Sequence, residues 1–115
     1  MIVVVSDMPL RGLLSSGTLI ASTWPHDGED VCVLVTLLQA TFPSLAEVLA
    51  IGLVGLAGVN RSEVTLTHGK ASIRALALSQ AGHEVLDPKQ HPEAVLQLDI
   101  IDLEASGCSA AKVAR

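Results

Sequence analysis

The chain has 115 residues and a mass of 11.9 kDa; half its residues are hydrophobic and 17% charged, with one Trp, one Phe and no Tyr. That length suits one domain, expected to span residues 1–115 and to bury about two-thirds of its unfolded surface, while the high apolar share and the net charge of -5 exclude a disordered chain. Twelve acidic against seven basic residues, with almost no rings to stack on bases, exclude an autonomous nucleic-acid binder and speak against an aromatic-lined ligand pocket.

Ile2-Val3-Val4-Val5 is a β-branched run closed by Ser6, Asp7 and Pro9, and it reads as a buried strand. Leu10, Leu13, Leu14, Leu19 and Ile20 leave a helical trace interrupted at Gly12 and again at Ser15-Ser16-Gly17. Trp24 to Asp30 (W-P-H-D-G-E-D) is a loop, since Pro fixes one backbone angle and Gly frees another. The apolar run V-C-V-L-V-T-L-L from Val31 to Leu38 reads as a second buried strand.

Ser44 with Glu47 three positions on has the form of a capping box, and Leu45, Val48, Leu49, Leu53 and Leu56 keep helical spacing towards a stop at Gly58-Val59-Asn60. On such a helix Gly52, Gly55 and Gly58 form a bare ridge for close packing. The competing assignment makes Val48 to Val54 a strand. Neither glycine fingerprint of a nucleotide site is present.

Glu63 to Thr67 alternates as a strand, His68-Gly69-Lys70 turns the chain, and Ala71 to Ala81 is expected to be helical, with Arg74 towards water and Gly82 as its stop. His83 to Asp87 is expected to form a short strand. Pro92 and Glu93 suit a first helical turn continued by Ala94, Val95 and Leu98. Asp99 to Leu103 reads as the last strand, and Glu104 to Arg115 as a small, polar tail, helical or frayed. Alternating strands and helices imply a small three-layer α/β domain, doubly wound and Rossmann-like or flavodoxin-like, with about five mostly parallel strands.

The segment Ile73 to Gly107, with A-G-H-E-V at the end of a helix, then H-P-E-A, then the strand D-I-I-D, resembles the first half of response-regulator receiver domains, which share that doubly wound fold. The resemblance covers about a third of the chain, and G-H-E-V is shared with vitamin B12-binding and other Rossmann-like domains. It implies Asp102 at the phosphoacceptor position and Gly107 at a glycine that often follows it. The receiver pattern is broken elsewhere. Thr67-His68-Gly69-Lys70 replaces the acidic pair that holds Mg²⁺, Ser106 replaces a proline, and eight residues remain where a receiver has its second half. A rearranged order would let the N-terminal half supply the missing strands, with Ser6 at the hydroxyl position, but no lysine ends the Val31 to Leu38 run.

The candidate ligand-binding residues are Asp7, His68, Gly69, Lys70 and Asp102. His68-Gly69-Lys70 follows a strand and opens the expected helix, where an N-terminus and a lysine suit an anion. Asp7 and Asp102 both end apolar runs, so they are expected at one sheet edge, where paired carboxylates bind a cation or share a proton. The competing reading makes all five ordinary turn and loop residues. Among His26, His68, His83 and His91 there is no i, i+4 pair and no H-E-x-x-H, and no G-x-S-x-G elbow exists. Cys32 and Cys108 form no C-x-x-C and read as free thiols. No catalytic set is assembled, no cofactor is indicated, and a metal site is not expected.

The longest apolar stretch, Val48 to Val59, is short of the ~20 residues that span a bilayer, so no membrane association is expected. The N-terminus lacks the basic start and cleavage pattern of a secretory signal, which makes the cytoplasm the expected compartment. The expectation is a small, soluble, non-catalytic protein that works by association, as a homodimer or other homo-oligomer or as a subunit of a larger assembly. The alternative is a degenerate receiver-like or anion-responsive domain with its site at the C-terminal edge of the sheet.

Overall fold

A computed structural model describes residues 1–113; Ala114 and Arg115, the end of the expected tail, lie outside the described residues. The elements in chain order are β1 (Ile2–Val4), α1 (Met8–Leu14), α2 (Gly17–Thr23), α3 (Gly28–Gln39), α4 (Leu45–Ile51), β2 (Gly55–Asn60), β3 (Glu63–His68), β4 (Ala71–Leu78), a one-turn 3₁₀ helix (Pro92–Ala94), β5 (Gln97–Ala105), β6 (Cys108–Ser109) and α5 (Ala110–Val113). The sheet is six-stranded, in the order β1-β5-β4-β3-β2 with β6 also beside β5.

The doubly wound parallel architecture is overturned. Only β1 runs parallel to its neighbour β5; every other pair is antiparallel. The cause is local. Asn60 pairs with Glu63 and His68 with Ala71, so two-residue turns join β2 to β3 and β3 to β4. A parallel neighbour needs a crossover of a dozen or more residues, and a two-residue turn permits only reversal.

The expected helix from Ala71 to Ala81 would have been one such crossover, and it is strand β4. Ala71, Ile73, Ala75 and Ala77 are buried, while Ser72, Arg74, Leu76 and Leu78 between them are not, which is the period of a strand. Its alanines favour a helix in isolation, and pairing on both edges overrides that preference.

The reverse error occurs at Val31 to Leu38, which lies in the helix α3. Its buried residues Val31, Leu34, Val35 and Leu38 are spaced i, i+3, i+4, i+7, one face of a helix. Glu29 and Asp30, expected at the end of the Trp24 to Asp30 loop, occupy its first turn and complement the helix dipole.

The element after Ser44 is helical as expected but shorter. α4 ends at Gly52, whose φ of +84° provides a left-handed C-cap, and the chain re-emerges as β2. Gly52, Gly55 and Gly58 therefore form no helical ridge, and the competing strand lies later than Val48 to Val54. The expected strand at His83 to Asp87 reduces to a single bridge between Glu84 and Leu78, and the helix from Pro92 to its one 3₁₀ turn.

The interrupted trace near Leu10 is two helices, α1 and α2, capped by Asp7 and Ser16 respectively. β1 is a strand as expected but lies at the sheet's edge, so Ile2 is exposed and Val3 to Val5 are half-buried.

One face of the sheet carries the core. Val64 and Leu66 of β3, the four inward residues of β4, and Leu98, Ile100 and Leu103 of β5 form one cluster with the inner side of α3, Leu10, Leu13 and Leu14 of α1, and Trp24. α3 lies against β1, β3 and β4, α2 packs on α3, and α1 on α2. The register slips between Arg74 and Ala75 of β4, where β5 carries the extra residue Ile101; this kink sets Asp102 opposite Arg74. Thr65, Arg74 and Asp102 form one cross-strand row, and Thr67, Ser72 and Glu104 the next. No helix among the described residues is long and apolar enough to cross a membrane.

Candidate functional site

The five residues proposed from sequence fall into three sets of partners: Asp7 on its own helix, His68 to Lys70 against Asp30, and Asp102 among groups of β5, β6 and α5. Asp7 caps α1, its carboxylate accepting from the Leu10 amide at 3.2 Å. His68 ends β3, where its Nδ1 lies 2.8 Å from the Leu53 carbonyl; a carbonyl only accepts, so Nδ1 carries the proton and donates. Gly69 and Lys70 form the β3–β4 turn rather than the start of a helix.

That turn is gripped by Asp30 of α3. The Lys70 amide donates to Asp30 Oδ2 at 3.1 Å, and His68 Nε2 lies 4.0 Å from Oδ1. Gly69 has φ +57°, and a Cβ there would stand 2.4 Å from Asp30 Oδ2, so both backbone and space demand glycine.

Asp102 is buried, with three donors converging on its carboxylate. The Leu103 amide donates at 2.8 Å, the Ser109 hydroxyl at 2.7 Å and the Ala111 amide at 3.0 Å, tying β5 to β6 and α5. Arg74 approaches the outer side, its Nη2 3.8 Å from Asp102 Oδ2 and its Nη1 3.0 Å from Glu63 Oε1. A carboxylate so fully engaged serves as a bracket for the C-terminal segment.

Sequence reasoning missed Asp30, Arg74 and a second bracket. The Ser106 hydroxyl donates to Asp27 Oδ2, while Trp24 Nε1 donates to the Cys108 carbonyl at 3.1 Å. Asp27 precedes α3 in the capping position, yet its side chain makes no cap bond there and is committed to Ser106. The partners lie 79 and 84 positions apart, so no local motif signals them.

The polar face of the sheet offers a shallow depression of about 110 Å³ lined by Thr65, Ser72, Arg74, Asp102 and Glu104. Sites for small molecules and cofactors run to roughly 300–1,000 Å³, so it has room for a few waters only. Its one cation is already shared between two carboxylates. Among the described residues no group of three His, Cys, Asp or Glu side chains is placed to hold a metal ion.

Comparison with protein-family models, with curated proteins and with solved structures gave no match. The geometry therefore stands by itself.

A larger concavity, of about 320 Å³, lies along the outer side of α3; it separates α3 from the α1–α2 turn and is walled by Leu14, Gly17, Ile20, Cys32 and Thr36. Beside it an open, shallow apolar surface is formed by Cys32, Val33, Thr36, Leu37 and Ala40. Val31 to Ala40 contains no Asp, Glu, Lys, Arg or His. Cys32 and Cys108 are both free, with Cys32 exposed on this surface.

Proposed function

We propose that this chain works by association, as a homo-oligomer or as a non-catalytic subunit of a larger assembly, with the outer side of α3 as its contact surface. The observation that carries the reading is the absence of Asp, Glu, Lys, Arg and His over Val31 to Ala40, although Cys32, Val33, Thr36, Gln39 and Ala40 in that stretch are exposed. A helix that faces water ordinarily carries charge on its outer side, and one that is apolar all round is ordinarily covered on all sides. Val33, Leu37 and Ala40, spaced i, i+4 and i+7, form an open apolar row, with the groove between α3 and the α1–α2 turn beside it, a surface on which a second helix can pack. Small side chains at Gly17, Cys32, Thr36 and Ala40 admit close approach.

The test is sedimentation velocity at tens of micromolar. The expected result is a mass above one chain, returning to one chain in Val33→Glu while the circular dichroism stays unchanged. A chain that sediments as a clean monomer and binds no hydrophobic dye overturns the proposal. A monomer that does bind dye, with binding lost in Val33→Glu, supports the subunit form over the homo-oligomer.

A further inference from the structure

We draw no further inference here: the strongest candidate, the uncharged outer edge of β2 between Gly55 and Asn60, carries nothing, because no feature of the structure shows what strand would cover it and the register irregularity at Ala57 interrupts its hydrogen-bonding row.

Discussion

Removing the carboxylate of Asp102 strands a buried hydroxyl and two amides at once, and leaves Arg74 with one acid in place of two. Each unsatisfied buried donor costs about 1–3 kcal/mol, with partial relief where water enters, so Asp102→Ala is expected to lose about 2–4 kcal/mol. Asp102→Asn keeps one acceptor oxygen and is expected to lose less. Urea midpoints followed through the buried Trp24 measure both.

At the β3–β4 turn, Gly69→Ala places a side chain in a left-handed conformation, worth about 1–2 kcal/mol, and also drives it into Asp30. The same substitution in an Asp30→Ala background is expected to cost less, because only the backbone penalty remains. Equal costs in the two backgrounds would show that the collision contributes nothing.

A third residue carries a pH signature. The Ser44 hydroxyl, followed by the backbone amide of Glu47 itself, holds the Glu47 carboxyl below its usual range. A carboxyl with its folded pKa depressed stabilises the fold above the unfolded value, and that stability is lost as pH falls through the folded one. Glu47→Gln is therefore expected to be less stable than the parent at neutral pH, with the gap closing on acidification. A gap independent of pH would assign the effect to packing.

Among the elements, α3 and β4 exchanged their expected identities, and both errors come from one physical source. A continuous apolar run has no period to read, so V-C-V-L-V-T-L-L fits a strand buried on both faces as well as a helix buried on one. Length and flanking acids separate the two, and Glu29 and Asp30 mark a helix start. In A-S-I-R-A-L-A-L the alternation was present, but small Ala side chains hid it beneath a helical composition.

Of the elements that were legible, β1, β3, the core of β5 and the start of α4, the first and the last have a sharp local boundary, whereas β5 runs two residues past the expected Asp99 and Leu103 at each end. Ser6-Asp7 closes the first and Ser44 opens the last. The site was legible only as single residues, because Asp30 reaches Lys70 across 40 positions. Helical burial also fixes a contrast a strand would not produce. Leu34→Ala is expected to cost about 2–5 kcal/mol, and Val33→Ala, in chain dilute enough to be monomeric, less than about 0.5 kcal/mol, since Leu34 is fully buried and Val33 is 37% exposed in the single chain. In a half-buried strand Val33 would share a face with Val31 and Val35, and its loss would be felt with theirs; thermal denaturation of the two variants distinguishes the cases.

For the molecule as a whole, the two sides of the fold carry different chemistry. The polar sheet face bears Glu63, Arg74, Asp102 and Glu104, whereas the outer side of α3 bears no charge from Val31 onward, beyond the Glu29 and Asp30 of its first turn. In a chain with net charge -5, self-association is least opposed where charge is absent. The proposed contact therefore predicts a second outcome in sedimentation: Ala57→Lys, a charge placed on the open edge of β2, leaves the mass of the assembly unchanged. Loss of the assembly in that variant, with Val33→Glu silent, would move the contact from α3 to the sheet edge.

The one parallel pair also bears on the order in which the fold assembles. Ile2 stands opposite Gln97, while β2, β3 and β4 are joined by two-residue turns. Closing a loop of that length is entropically costlier than closing a hairpin, and it is rewarded only by a three-residue ladder. The meander from β2 to β5 can collapse against α3 without β1, whereas β1 has no strand to join until β5 is in place. The first strand of the chain is thus expected to arrive late, a bolt slid home once the frame around it stands, and pulsed hydrogen exchange that protects the Ile2 amide as early as those of β3 would overturn this.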